Sequence, residues 1–219
     1  MTLKVQNISK TFDGKQYIFK NLSLELGPGD FFFMKGKSGC GKTLFLKSLC
    51  LITGVQEGCF YWNGKELEGH DLPLFRSQVH FLNQFPSPFH GTALDYIKAP
   101  FSFSLHKAKK FERDVLYSFL EALHLSKEFL KKKVPHLSGG EKQLLKLMRS
   151  LLLSPKGLLL DEPTSNMDDE MKQRAEDLIF KVYKEKNCFL LWVTHDGAQI
   201  KRYAKNYLNF PSLQLEEVL

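Results

Sequence analysis

Eight consecutive residues, Gly36-Lys37-Ser38-Gly39-Cys40-Gly41-Lys42-Thr43, satisfy the pattern G-x-x-x-x-G-K-[ST] in full. Glycines at this spacing let the backbone fold into a nest whose N–H groups face the oxygens of a phosphate chain. A helix that starts where the loop ends adds its positive end to the same target. Lys42 is then suited to neutralise β and γ phosphates, and the Thr43 hydroxyl to bind Mg²⁺. The chemistry of this set is capture of a nucleoside triphosphate. The chain has no Asn-Lys-x-Asp guanine-reading motif, which favours ATP over GTP.

Two further runs carry chemistry. Leu158-Leu159-Leu160-Asp161-Glu162 is an apolar stretch that ends in two carboxylates, followed by Pro163-Thr164-Ser165 and Asp168. Asp161 is placed to hold Mg²⁺ through its water shell, and Glu162 to orient and polarise an attacking water as general base. Leu137-Ser138-Gly139-Gly140-Glu141 lies about a hundred residues after the phosphate loop. A serine there suits a helix N-cap, while two glycines leave bare N–H groups able to approach a phosphate closely.

The Leu137–Glu141 run resembles the signature motif of ATP-binding cassette (ABC) ATPases, and Asp161–Asp168 resembles their D-E-P-T-S-x-x-D stretch. The resemblance runs nearly the full length of the chain. It implies that Ser138, Gly139 and Gly140 reach the γ-phosphate of a second copy of the protein, so that two ATP molecules glue a head-to-tail dimer. It also implies roles for four other positions. Gln84 matches the Q-loop glutamine that touches Mg²⁺ and the attacking water and joins the catalytic core to a helical lobe. His195 matches the switch histidine on the γ-phosphate. Phe12 matches the aromatic that stacks on adenine, with Tyr17 a nearby competitor. Asp168 matches the D-loop aspartate facing the opposite subunit. The expected set is therefore Glu162, His195 and Gln84 for catalysis; Phe12, Gly36 through Thr43, and Ser138 through Gly140 for nucleotide; and Thr43, Gln84 and Asp161 for the metal. Two departures, Asn166-Met167 where Ala-Leu is common and Leu144 where Arg is frequent, bear on coupling between subunits and not on the phosphate ligands.

These residues need strands and helices to hold them. Alternation marks strands at Leu3–Ser9 and Ile18–Leu26, with Gly27-Pro28-Gly29-Asp30 as a turn. Phe31–Lys35, Gly157–Asp161 and Phe189–Thr194 are apolar up to their last residues, as buried parallel strands are. Cys59–Trp62 and Val79–Leu82 are shorter strand candidates. Helical spacing appears in Thr43–Leu51, Thr92–Lys98, Lys109–Leu123, Glu141–Leu153 and Glu170–Lys184. Strands alternating with helices imply an α/β fold with a mostly parallel sheet; with N-terminal antiparallel strands and the resemblance, the expected fold is the P-loop NTPase fold of an ABC ATPase. The expected domain is a single one over 1–219, with a core of 1–84 and 136–219 and an inserted helical lobe at about 85–135.

Composition narrows the function classes. At 219 residues with 43% hydrophobic content the chain can bury a real core. No apolar stretch approaches the roughly 20 residues that span a bilayer, and the N-terminus lacks the apolar core of a secretion signal. The four cysteines, Cys40, Cys50, Cys59 and Cys188, form no C-x-x-C pair and fit reduced thiols. The remaining histidines (His70, His80, His90, His106, His124, His136) have no metal-like spacing. The net charge of +7 concentrates at Lys107–Lys110 and Lys131–Lys133 without the aromatic interleaving of RNA-binding surfaces, so no nucleic-acid partner is expected.

The resemblance implies an ATP- and Mg²⁺-dependent ATPase subunit that powers a separate multi-span membrane permease from the cytoplasmic face of the inner (plasma) membrane. Phe85–Phe89 is the expected docking patch. Arg76–Pro100 and Leu191–Asp196 look most like a bacterial group of stand-alone ATPases linked to iron export. Lipoprotein-releasing and phosphate-import ATPases are the neighbouring alternatives. A soluble ABC ATPase acting on ribosomes or DNA would carry two cassettes or a coiled-coil insertion, and a P-loop kinase would lack the signature and the switch histidine.

Overall fold

The computed structural model describes residues 1–83 and 88–218. The chain divides into two compact units: Met1–Phe81 with Lys156–Glu162 and Asn187–Leu219, and Leu82–Pro155 with Pro163–Lys186.

In the first unit, strands β1 (Leu3–Thr11), β2 (Tyr17–Leu26), β4 (Glu57–Trp62) and β5 (Lys65–Glu66) form a sheet in the order β2-β1-β4-β5. Its pairs are all antiparallel. The inward residues of β1 and β2, Leu3, Val5, Ile8, Phe19, Leu22 and Leu26, join the core, which accounts for the alternation in the sequence. A second sheet runs β10-β9-β3-β8-β7-β6. It contains β3 (Phe31–Lys35), β6 (Val79–Leu82), β7 (Gly157–Asp161), β8 (Phe189–Val193), β9 (Asn206–Asn209) and β10 (Gln214–Glu217). β3 lies parallel to β8 and β9, and β7 parallel to β8. All five residues of β7 and of β8 are buried, so their unbroken apolar runs reflect strands covered on both faces. Helix α1 (Lys42–Leu49) buries Phe45, Leu46 and Leu49 in the same core, where Phe45 packs edge-on against Phe19 at 5.5 Å between centroids. Short helices α2 (Leu72–Arg76) and α7 (Gly197–Tyr203) complete the unit.

The second unit is helical. It holds α3 (Ala93–Lys98), α4 (Arg113–Ala122), α5 (Gly139–Leu152) and α6 (Asp169–Lys186). Its extent differs from the lobe read at about 85–135, which falls within it: residues 136–155 and 163–186 group with the helical segment because α5 and α6 pack with α3 and α4. Thr92 is the N-cap of α3 and not its first residue, accepting from the Asp95 N–H at 3.2 Å. The helix expected from Lys109 begins only at Arg113. Residues Ala99–Ser102 and Ser104–His106 form 3₁₀ turns, and Lys109 closes a turn onto the His106 carbonyl at 2.8 Å. Helices α2 and α7 and strands β5, β9 and β10 had no reading in the sequence; each spans seven residues or fewer, too short for a periodic pattern to stand out.

Candidate functional site

β3 delivers the chain into the loop Gly36–Gly41, and α1 leaves it, so the glycine-rich run sits between a buried strand and a helix N-terminus. Gly41 has φ 103°, and a Cβ there would lie 2.4 Å from Ile18 Cγ2. Both the left-handed backbone and the close approach of β2 require glycine. Gly39 has φ 76° with open space around it. The Lys42 ammonium turns back over the loop and donates to the Gly36 carbonyl at 2.8 Å and the Lys37 carbonyl at 2.9 Å. It lies 3.9 Å from the Cys40 sulfur.

A cavity of about 290 Å³ opens beside this loop. Ser38, Gly39, Gly41, Lys42, Thr43, Asp161, Glu162 and His195 line it, all anticipated from the sequence. At its wall the Thr43 hydroxyl donates to Asp161 Oδ2 at 2.8 Å. A hydroxyl and a carboxylate converging at a phosphate loop form the hard oxygen donor set that suits Mg²⁺. Glu162 follows at the end of β7 with φ 48°, an uncommon backbone for a non-glycine residue, and its N–H donates to the Val193 carbonyl at 3.1 Å. His195 Nε2 stands 3.3 Å from Glu162 Oε1. The histidine is positioned from both sides. The Thr194 N–H donates to the Met34 carbonyl of β3 at 3.3 Å, and Asp196 caps α7 by accepting from Ala198 and Gln199 N–H groups.

Leu44, Lys47 and Val193 also line the cavity and had not been singled out. Lys47 lies one helical turn after Thr43, the spacing that would have revealed it. Phe12 is 86% exposed in the turn between β1 and β2. Its competitor Tyr17 is engaged elsewhere, with the Lys20 ammonium 4.8 Å from its ring centroid and its hydroxyl 3.5 Å from Glu57.

The cavity's lining residues all come from the first unit; the second carries Ser138, Gly139, Gly140 and Asp168. Ser138 is the N-cap of α5 and forms a reciprocal capping box. Its hydroxyl accepts from the Glu141 N–H at 3.1 Å, and its own N–H donates to Glu141 Oε2 at 2.9 Å. Lys132 donates to the other Glu141 oxygen at 2.7 Å. Partial burial works to raise the Glu141 pKa, but the bonds from Lys132 and Ser138 outweigh it and hold the carboxyl below its usual range. A Cβ on Gly140 would lie 3.0 Å from the Asn166 carbonyl, so close packing explains that glycine; around Gly139 nothing lies within 4 Å. Asp168 accepts from the Met171 N–H at 2.9 Å at the start of α6.

Gln84 lies outside the described residues, as do three of the five positions of the expected docking patch. Of the remaining two, Phe89 packs its ring edge-on against Tyr96 at 5.1 Å. Among the described residues no group of three or more His, Cys, Asp or Glu side chains gathers as a metal site, and no helix is long and apolar enough to cross a membrane.

Residues 19–165 match the family described as "ABC transporter". Among curated relatives, the "Probable iron export ATP-binding protein FetA" of Escherichia coli K12 is 32% identical over 203 residues, covering 93% of this chain and 88% of that protein. The "Lipoprotein-releasing system ATP-binding protein LolD" of Buchnera aphidicola is 30% identical over 212 residues, covering 91% and 90%. The solved structure described as "Dimeric Structure of MJ0796, a Bacterial ABC Transporter Cassette" superposes with a TM-score of 0.80 at 25% identity, over 99% of each chain.

Proposed function

This chain belongs to the ABC transporter family as one of its ATP-binding ATPase subunits, and we propose that it works as half of a two-site enzyme that drives a separate membrane permease. The observation that carries this reading is the arrangement on the cavity wall: Thr43 bonded to Asp161 at 2.8 Å, and Glu162 beside His195 at 3.3 Å, below a complete phosphate loop.

In this reading the loop N–H groups and the N-terminus of α1 hold the β and γ phosphates, and Lys42 exchanges its two carbonyl partners for phosphate oxygens. Thr43 and Asp161, with Gln84, would hold Mg²⁺, which would neutralise the negative charge that develops on the phosphate oxygens. Glu162 takes a proton from the water that attacks the γ-phosphorus, while the bond to the β-phosphate oxygen breaks and ADP and phosphate form. His195 orients Glu162 and the γ-phosphate. Phe12, exposed and free of the contacts that occupy Tyr17, is the platform for adenine.

Ser138, Gly139 and Gly140 complete the site on a second copy of the chain. The exposed Gly139, where a side chain would meet nothing in its own chain, supports a surface kept bare for close approach. ATP then closes two copies head to tail and hydrolysis opens them, with Asp168 at the seam. The likeness to dimeric cassettes supports this assembly. The permease docks at the cytoplasmic face of the membrane against the segment from Phe85 to Phe89. The permease selects the cargo; the 32% identity to a probable iron exporter's ATPase supports metal-ion export, iron included, ahead of lipoprotein release or phosphate import.

Purified Glu162→Gln protein tests the assignment of the base. The expected result is retained ATP binding with phosphate release reduced at least about 100-fold. Undiminished hydrolysis would remove Glu162 from that role.

A further inference from the structure

The fold treats the two lysine-rich runs of the helical unit differently. In the run from 131 to 133, Lys131 pairs with Glu128 at 3.0 Å and Lys132 with Glu141 at 2.7 Å. In the run from 107 to 110, Lys109 donates to the Leu153 carbonyl at the C-cap of α5. Its neighbours Lys107 and Lys110, with Arg113 beyond them, are exposed, and among the described residues no carboxylate pairs with these three. Across residues 98–114 five basic side chains stand against two acidic ones, Glu112 and Asp114.

The same segment holds apolar surface in water. Phe103, 53% exposed, sits between the 3₁₀ turns Ala99–Ser102 and Ser104–His106, and Leu105, 48% exposed, lies in the second. Both are carried on anchored chain. The Phe103 N–H donates to the Pro100 carbonyl at 3.1 Å, and its carbonyl accepts from the His106 N–H at 2.9 Å. Phe101 packs edge-on against Phe111 at 5.4 Å, and the His106 side chain is buried. A single exposed apolar residue is ordinary. Two within three residues, on a fixed loop beside three unpaired cations, form a patch with two demands on a partner.

An anionic bilayer surface meets both demands. Its headgroups attract basic side chains within a Debye length, and its acyl boundary takes apolar side chains out of water. A nucleic acid would match the charge and leave Leu105 wet. An apolar protein groove would cover Phe103 and Leu105 and strand the cations.

We propose that residues 103–113 are a lipid-contact loop: Phe103 and Leu105 enter the headgroup region of an anionic membrane, and Lys107, Lys110 and Arg113 bind its phosphates. The inference extends the proposed function, in which the chain works at a membrane, by giving it a direct hold on lipid that needs neither permease nor nucleotide.

The test mixes the purified protein with vesicles of phosphatidylcholine alone or with about 30% phosphatidylglycerol, and reads binding by cosedimentation over a salt series. Binding should be confined to the anionic vesicles and fall as salt shortens the Debye length. Phe103→Ser with Leu105→Ser should weaken it about tenfold, and Lys107→Gln with Lys110→Gln about 30-fold. Lys201→Gln with Lys205→Gln, the same loss of charge in the other unit, should change it no more than about twofold. Phe103→Trp, the mildest change, should add an emission that shifts to the blue and is quenched by brominated acyl chains on the anionic vesicles. All these variants should hydrolyse ATP as the parent does, since none of the substituted residues lines the nucleotide cavity. Absence of binding to anionic vesicles at low salt would overturn the inference. So would binding that survives loss of Phe103 and Leu105, an equal loss from the Lys201 and Lys205 pair, or binding of the loop to an RNA oligonucleotide in place of vesicles. Each of these results leaves the proposed function standing. Full hydrolysis in Glu162→Gln would remove the proposed base and leave vesicle binding untouched.

Discussion

Thr43 and Asp161, separated by 118 positions in sequence, meet in a 2.8 Å hydrogen bond from hydroxyl to carboxylate. The bond links the first turn of α1 to the end of β7, and so brings the phosphate loop to the residue that precedes Glu162. Asp161→Asn keeps a hydrogen-bond acceptor there but removes the charge. Hydrolysis should fall by about 100-fold or more. ATP affinity measured in EDTA should stay within a few fold of the parent, and the gain in affinity on adding Mg²⁺ should disappear. Isothermal titration with and without the metal reads both quantities. An intact Mg²⁺ effect would show that Asp161 is not part of the metal's environment.

Gly41 is the tightest point of the loop. Alanine there must adopt φ near 103° and push into Ile18. The strain should cost about 1–3 kcal/mol, seen as a melting temperature lower by about 2–4 °C for each kcal/mol. Nucleotide binding should be lost in parallel, because Ile18 and α1 cannot both keep their places. Gly39→Ala also carries a positive φ but meets no neighbour, so its melting temperature should fall less.

The cap of the signature helix depends on pH. Glu141 has a folded-state pKa held below its usual range by Lys132 and Ser138 against the effect of burial. A depressed carboxylate contributes stability that is fully present above its unfolded pKa and is lost as pH falls through the folded value. Glu141→Gln keeps a side chain able to complete the capping box but gives up the Lys132 ion pair. The parent should melt above the variant at pH 7, and the gap should close as pH falls below about 4.5. A gap that widens in acid would contradict the sign of the effect.

The thiols should divide by burial. Burial pushes Cys50 up to about 12 and Cys188 up to about 11, so neither offers a thiolate near neutrality. Iodoacetamide on the native protein should leave both unlabelled by peptide mass spectrometry. Cys40, half-exposed in the phosphate loop, should label, and ATP should protect it.

Much of the site was legible because its chemistry is carried by contiguous runs. Gly36–Thr43, Asp161-Glu162 and His195 stand at the ends of strands whose apolar character announced them, and Ser38, Gly39, Gly41, Lys42 and Thr43 of the loop line one cavity with Asp161, Glu162 and His195. The central strands were readable for the same reason: β7 and β8 are buried on both faces and are apolar apart from Asp161, which ends β7 at the cavity. Less visible was anything set by contacts distant in sequence. Lys47 had only its place one helical turn after Thr43 to mark it, and a lone lysine on a helix is ordinarily a solvated one. The grip of Lys146 on Asn83 depends on a pairing across 63 positions that no local pattern encodes. The grouping of α5 and α6 with α3 and α4 likewise rests on packing between segments distant in sequence. Periodicity also failed at Lys109, where residues 109–112 stay irregular after the 3₁₀ turn Ser104–His106 and the helix starts only at Arg113.

Two copies of the chain closing over ATP is the idea on which the rest depends, and the solution mass of the Glu162→Gln protein tests it most directly. Light scattering behind a sizing column, in saturating ATP and Mg²⁺, should give twice the mass of one chain, returning to a single chain when nucleotide is removed or when Ser138 is also changed to Arg. A single-chain mass at saturating ATP, with binding confirmed in the same sample, would contradict it.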